Sequence, residues 1–578
     1  MEPAMQSVHT WVSQPENLAL TAALAMRASF AEYSERFRSI TQRAKGRFEQ
    51  RAWAAARQDA VERIELYDQV INETSQKLRT LLNGQLADKN VWAAIKGHYS
   101  ALIANHLDQE LNKTFFNTLT RRVFKTRGVD SSVEFVALDI EPTDRITRPV
   151  SRHSYSASSS LRTLFRRVLD DYAFTVQYAE PERCATRIAA AVQGQLKPWG
   201  DAPVRAVELL TTVFYRERRA YLVGRVFGEE KFSPIAIALA NDEQGVRADA
   251  VLTDRDDVAA LFGYTRSYFQ ADLETVGDAV VFLRTLLPRK PIDELYTVLG
   301  RAKQGKTERY RHFFRHLEAR DERFQIADGE RGMVMAVFTL PSYPLVFKVI
   351  RDRFAPPKNI VRQDVLDKYQ IVFKHDRAGR LVDAQEFRYL KFPRSRFEPA
   401  VLKELLETCA GSVIEEGDYL VLTHLYIERR LRPLNLYVRE AGLEAAKAAM
   451  IDYAQAIKDL ALSNVFAGDL LLKNFGLTKG GRVIFYDYDE LCLVTECRFR
   501  ELPEEDEDGR GNEIYVAQND MFPEEFSRFL GLTPELRKAL FDAHGEIFQV
   551  RWWLDVQAQV AAGARPEILP YGAHLRLS

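Results

Sequence analysis

The segment from Asp469 to Glu490, D-L-L-L-K-N-F-G-L-T-K-G-G-R-V-I-F-Y-D-Y-D-E, constrains this chain more than any other. Asp469 and Asn474 are five residues apart, and the apolar run Val483 to Tyr486 then delivers Asp487 as the first residue of D-Y-D. The pattern suits a division of labour in which one carboxylate accepts a proton while an amide and a second carboxylate converge on metal ions beside phosphate. A turn with solvated acids in front of a buried strand would look the same. Partners elsewhere in the chain have to decide between the two.

At 578 residues, 46% of them hydrophobic, the chain has room for two or more domains with real cores. Lys+Arg 80 against Asp+Glu 81 leaves a net charge of −1, so no general field favours nucleic acid or a membrane surface. Neither partner is expected. Cys184, Cys409, Cys492 and Cys497 form no C-x-x-C and no metal set, which predicts free thiols in a reducing compartment without disulfides or zinc. The apolar patch Leu18 to Met26 is too short to span a bilayer, and no basic segment with an apolar core opens the chain, so a cytoplasmic location is expected.

From Leu18 to Leu82 apolar residues recur at helical spacing, with Phe30, Tyr33, Phe37 and Ile40, then Ile64, Tyr67, Ile71 and Leu78 as the expected core stripe. Helical pattern continues from Val91 to Phe124. Arg145 to Arg167 is rich in Ser and Arg and lacks a period, which predicts an exposed connection. Ala220–Phe227, Pro234–Ala240 and Val246–Leu252 predict a small antiparallel meander, and helices resume from Asp256 to His316. This half shows no catalytic spacing and reads as regulatory or scaffolding.

After Arg323 the character changes. Met333–Leu340 and Leu345–Ile350 predict a hairpin entered through the glycine loop Ala327, Asp328, Gly329, Glu330, Arg331, Gly332 and Met333, which lacks a full G-x-G-x-x-G. Lys348 stands inside the second strand, V-F-K-V-I, where a charge is costly unless paired; it matches the strand lysine of protein kinases. Such a lysine usually pairs with a glutamate on the next helix, but the candidate helix, Val361 to Asp376, carries only Asp364, Asp367 and Asp376. Its partner is left unassigned. Asp418–His424 predicts a strand running into L-Y-I-E, where kinases meet adenine, making Leu425, Tyr426, Ile427 and Glu428 the adenine-edge candidates. A helix, Leu443 to Leu462, leads to Asp469. No H-R-D precedes it and no A-P-E follows; an acidic segment, Glu501 to Glu513, takes the place of an activation loop and is a candidate docking element.

The fold class is therefore α+β: a mainly helical N-terminal domain with a small antiparallel sheet over 1–320, then a bilobal protein-kinase-like domain over 321–578. The stretches A-D-G-E-R-G-M-V-M, L-P-S-Y-P-L-V-F-K-V-I-R-D-R-F-A-P-P-K, L-Y-I-E-R-R, G-D-L-L-L-K-N-F-G and V-I-F-Y-D-Y-D-E, with F-Y-R-E-R-R-A-Y-L-V-G and F-G-Y-T-R-S-Y-F earlier, resemble the isocitrate dehydrogenase kinase/phosphatase family nearly end to end. The resemblance implies one ATP site serving kinase and phosphatase directions, Mg2+ (or Mn2+), AMP as allosteric effector, a homodimer, and a serine of isocitrate dehydrogenase as target. That activity sets flux between the tricarboxylic acid cycle and the glyoxylate bypass. It further implies Ala327–Met333 and Lys348 as nucleotide contacts and Asp383 as the assigned active-site aspartate. Asp469 would then be base toward the serine, Lys473 a charge on the phosphoryl group, and Asn474 and Asp487 metal ligands. Asp489, two residues beyond Asp487, points the same way if the strand continues, and Asp383 and Asp489 are expected to matter more for phosphate removal. A small-molecule kinase of the aminoglycoside type, or a pseudokinase scaffold, are the competing readings.

Overall fold

The computed structural model describes the chain apart from residues 1–14, 139–148, 159, 200–203, 264–267, 356–359, 376–377, 503–515, 518, 564–566 and 578. Two compact units emerge: residues 1–263, 267–319 and 571–578 form one, and residues 264–266 and 320–570 the other.

The first unit begins with α1 (Pro15–Glu49), α2 (Trp53–Leu82), α3 (Lys89–Ile103) and α4 (Gln109–Phe124). Met26, Phe30, Tyr33, Phe37 and Ile40 recur along one face of α1 and are buried with Tyr67, Ile71 and Phe115 in a single core. Ile64, expected in that stripe, is 42% exposed. The buried face of α2 is centred one residue away, on Arg63, Tyr67, Val70 and Thr74, and Arg63 is tolerated there because it donates to the Phe269 carbonyl at 2.7 Å.

The Ser/Arg segment is not the exposed connection expected of it. Residues 145–148 lie outside the described residues, but Arg152–Ser156 forms strand β1, and α5 (Leu161–Asp171) follows. Only Tyr155 of β1 is buried, so alternating Ser, Arg and His suit an edge strand with one wet face, while the Ser160 hydroxyl accepts from Thr163 N at 3.1 Å as the cap of α5. Next come α6 (Pro181–Gln195), β2 (Ala206–Leu210), β3 (Phe214–Arg216), β4 (Arg219–Phe227), β5 (Phe232–Asp242) and β6 (Gly245–Leu252). They form an antiparallel sheet of order β1-β2-β4-β5-β6, with β3 paired to β4, whose core includes residues of α5 and α6. Helices α7 (Arg255–Leu261), α8 (Val276–Leu286), α9 (Ile292–Val298) and α10 (Ala302–Ala319) complete the unit. Its sheet also receives the C-terminal tail: buried Asp249 accepts from Arg219 Nε at 3.1 Å, the Tyr571 hydroxyl at 2.6 Å and Arg576 Nη2 at 2.9 Å.

The second unit opens with β7 (Gln325–Ile326), β8 (Met335–Thr339), β9 (Leu345–Ile350), α11 (Arg362–His375), β10 (Gln385–Phe387), β11 (Leu390–Pro393), α12 (Pro399–Thr408), β12 (Val413–Glu416), β13 (Tyr419–Leu422) and β14 (Leu425–Arg429). Five strands pair antiparallel in the order β10-β14-β9-β8-β7, while β13 belongs to a separate sheet, β11-β13-β12. The expected run from Asp418 into L-Y-I-E thus breaks at Thr423 and changes sheet. Phe324, Phe338, Phe347, Phe392 and Phe397 pack ring to ring on one side of the five-stranded sheet.

A mainly helical half follows: β15 (Arg432–Pro433), α13 (Leu434–Glu440), α14 (Leu443–Leu462), β16 (Val465–Phe466), β17 (Phe475–Leu477), β18 (Val483–Phe485), β19 (Cys492–Leu493), α15 (Pro534–His544) and α16 (Val550–Ala561). Met450, Tyr453, Ile457 and Leu460 of α14 are buried in the same core as Phe475, Phe485 and Trp553. Of the acidic segment Glu501–Glu513, residues 503–513 lie outside the described residues. Among the described residues no helix is long and apolar enough to cross a membrane.

Candidate active site

Lys348 is in the middle of β9, a central strand, and is only 6% exposed. An ammonium there needs partners, because desolvation alone costs several kcal/mol per ion. It has two: Glu428 Oε2 at 2.7 Å and the Tyr486 carbonyl at 2.7 Å. Tyr486 immediately precedes Asp487, so the strand lysine and the D-Y-D aspartate, far apart in sequence, meet at one peptide.

The loop that carries Asp469 is shaped by backbone bonds. Asp469 Oδ1 accepts from Leu471 N at 2.8 Å, Asn474 Nδ2 donates to the Asp469 carbonyl at 3.3 Å, and Tyr486 N donates to the Asn474 carbonyl at 3.1 Å. The Tyr486 hydroxyl donates back to the Lys473 carbonyl. These links hold Asp469, Lys473 and Asn474 against the segment that ends in Asp487. Gly468 has φ +77, and a Cβ there would lie 2.3 Å from the Glu490 carbonyl. Only glycine allows that approach, and the short ladder of β16 with β19 closes the frame.

Asp383 joins from the other side. Leu381 bridges Phe485 in parallel, Val382 N donates to the Phe485 carbonyl at 3.1 Å and Phe485 N to the Arg380 carbonyl at 2.8 Å. Asp383 and Asp487 therefore leave the ends of adjacent segments. Arg380 anchors this arrangement: Nε donates to Asp459 at 2.7 Å, and Nη1 and Nη2 to the two oxygens of Asp452 at 2.7 and 2.9 Å. Burial opposes the guanidinium charge, yet Asp459 and Asp452 raise its pKa overall; burial likewise opposes the Asp452 charge, and Arg380 brings its pKa below the usual value.

The glycine loop connects β7 to β8. Gly329 has φ +111, a conformation that L side chains rarely adopt. Two ion pairs hold the loop: Asp328 with Arg432 at 3.1 Å, and Glu330 with Lys473 at 3.1 Å. Arg331, Gly332 and Met333 are exposed. The Lys473–Glu330 pair brings the loop to the segment that carries Asp469.

These residues fit a magnesium nucleotide. Asp487 and Asn474 offer hard oxygen donors, and Mg2+ takes its remaining ligands from phosphate and water, so two protein ligands suffice. Among the described residues no group of three or more His, Cys, Asp or Glu gathers as a metal cage.

A profile of the isocitrate dehydrogenase kinase/phosphatase regulatory domain matches residues 23–321, and one of the kinase domain of the same enzymes matches residues 322–573. The chain belongs to the isocitrate dehydrogenase kinase/phosphatase family. Proteins of that name from Xanthomonas euvesicatoria pv. vesicatoria and Xanthomonas axonopodis pv. citri are 57% and 56% identical over 98% of this chain and 99% of their own length. One from Anaeromyxobacter sp. is 46% identical over the same shares.

Within this family chain two expectations need correction. Strand β18 ends at Phe485 and Asp489 lies in a turn, so strand alternation no longer argues that Asp489 and Asp487 point the same way. Tyr426 and Ile427 are paired on both sides, with β10 and with β9, and Leu425 with β10, so their backbone is committed to the sheet, and Glu428 is buried against Lys348. Sequence spacing leaves the Lys348 partner unassigned because protein kinases place it on the following helix; the signal for it is a second lone charge in an apolar strand, the glutamate of L-Y-I-E.

Proposed function

We propose that this chain phosphorylates and dephosphorylates a serine of isocitrate dehydrogenase at one ATP–Mg2+ (or Mn2+) site, under AMP control, as a cytoplasmic homodimer. Such an enzyme divides flux between the tricarboxylic acid cycle and the glyoxylate bypass. The observation that carries the reading is the Lys348 ammonium, 2.7 Å from the carbonyl that precedes Asp487, in a chain that matches 99% of the length of relatives named for this activity.

When bound, the magnesium nucleotide supplies the phosphoryl group and neutralises charge on it. Asp469 Oδ2 takes the proton of the serine hydroxyl, while Oδ1 is held by Leu471 N. Lys473, once it leaves Glu330, places a positive charge beside the transferred group. Asn474 and Asp487 hold the ion, and Lys348 holds phosphate oxygens. For the reverse direction, Asp489 orients water and Asp383 acts with it in removing phosphate. The glycine loop Ala327–Met333 covers the phosphates.

Incubation with labelled ATP, magnesium and isocitrate dehydrogenase, followed by a chase with AMP and ADP, tests the proposal. Label is expected to enter a dehydrogenase serine and then leave it. Magnesium-dependent ATP binding with no label on the dehydrogenase would favour a pseudokinase scaffold instead.

A further inference from the structure

We infer that Glu428, backed by Tyr369, is the positioning residue for Lys348 and holds it from the sheet, not from a helix; the inference rests on the nucleotide site just proposed. In protein kinases the strand lysine is held by a glutamate on the following helix, so displacing that helix breaks the pair and switches the enzyme off. Here the following helix is α11, and its described acids are engaged locally: Asp364 accepts from Val361 N at 2.7 Å and Asp367 from Gln363 Nε2 at 2.8 Å.

The carboxylate comes from the neighbouring strand. Tyr426 is directly opposite Lys348 in the β14–β9 ladder, and Glu428, two residues on, shares its face as the diagonal neighbour. That spacing is set by backbone hydrogen bonds. Glu428 is 1% exposed, with Oε2 on Lys348 at 2.7 Å and Oε1 accepting from the Tyr369 hydroxyl at 3.3 Å. Tyr369 in turn stacks on Tyr426 with ring centroids 3.8 Å apart. Helix α11 thus contributes a phenol and no charge to the pair. Of the three ammonium donors of Lys348, Glu428 and the Tyr486 carbonyl take two, which leaves one for a phosphate oxygen. The charge that holds the lysine thus comes from the sheet, and a movement of α11 would remove only the Tyr369 hydrogen bond from the pair.

The test measures Kd for Mg-ATP, with KM and kcat for phosphorylation of isocitrate dehydrogenase, on full-length protein. Glu428→Gln is expected to raise Kd and KM for Mg-ATP by at least about tenfold and to lower kcat, with KM for the dehydrogenase unchanged. Glu428→Asp should recover part of the loss, and Tyr369→Phe should raise KM for ATP by about threefold at an unaltered melting temperature. Asp364→Asn and Asp367→Asn should match wild type. Wild-type constants in Glu428→Gln, or losses in the Asp364 and Asp367 variants equal to its own, would overturn the inference. Should Glu428→Gln not fold, Tyr369→Phe decides, and an unchanged KM there overturns it. A wild-type protein that binds no Mg-ATP would instead remove the nucleotide site itself.

Discussion

Both units bury charge, but to different ends. In the first, Glu308 Oε1 accepts from Gln304 Nε2 at 2.6 Å and Arg311 Nη1 at 2.9 Å, while Arg311 Nη2 reaches Glu110 at 2.6 Å and Lys113 reaches Glu110 at 2.8 Å. Side chain answers side chain within α4 and within α10, and the Arg311–Glu110 pair joins the two helices. In the second unit Lys348 answers one side chain and one backbone carbonyl, and that carbonyl belongs to the segment that presents Asp487. Perturbed protonation does not separate the two regions: burial pushes the Glu308 carboxyl up to about 7 and also raises that of Glu428 against the pull of Lys348. What marks the site is that buried charge meets loop ends from several segments. The first network ties helices together, and the second is the one that the proposed chemistry uses.

The largest effect expected from this contrast is on catalysis. Asp469→Asn should lower phosphate transfer by up to about 10^4-fold, read as labelled dehydrogenase, while the denaturation midpoint barely moves. In the first unit the order reverses. Arg311→Met leaves Glu308 buried and Glu110 half-buried without their guanidinium and should cost about 4 kcal/mol in denaturant unfolding, with KM for ATP unchanged. A loss of activity larger than the loss of stability would break the comparison.

Glu308 gives the next effect, through pH. Its folded pKa, about 7, exceeds the ordinary 4.5, so between those values the native state keeps a proton that the unfolded state has released. Its contribution to stability is complete below 4.5 and is lost as pH rises through 7. Relative to Glu308→Gln, wild type should lose about 3 kcal/mol across that window, measured as unfolding free energy against pH. The smallest effect separates two carboxylates within the active site. Asp383→Asn and Asp489→Asn should each reduce dephosphorylation about tenfold more than phosphorylation, and equal losses would abolish that distinction.

Much of this was legible in the sequence. The meander, the hairpin with Lys348, helix α14 and the D-x-x-x-x-N loop are carried by strong periodicity or by punctuating glycines. The misses have physical causes. Arg152–Ser156 is a strand because its neighbour β2 supplies the ladder, which polar edge residues do not announce. Arg63 takes the buried place expected of Ile64 because a carbonyl 206 residues away accepts its proton. Sequence alone sets Glu428 among the adenine-edge candidates because strand register depends on the neighbours β9 and β10, and a one-residue choice of face redirects a side chain. The Asp249 cluster that binds Tyr571 and Arg576 joins residues 322 and 327 positions apart, beyond the reach of local pattern.

The central claim is that one constellation, not two, moves phosphate in both directions. Asp487→Asn tests it most directly, since the side chain is only partly buried and the substitution keeps its shape. With labelled ATP, magnesium and isocitrate dehydrogenase, and with prelabelled dehydrogenase in parallel, the account predicts that label gain and label release fall together. Retention of either activity near the wild-type rate in that variant would contradict it.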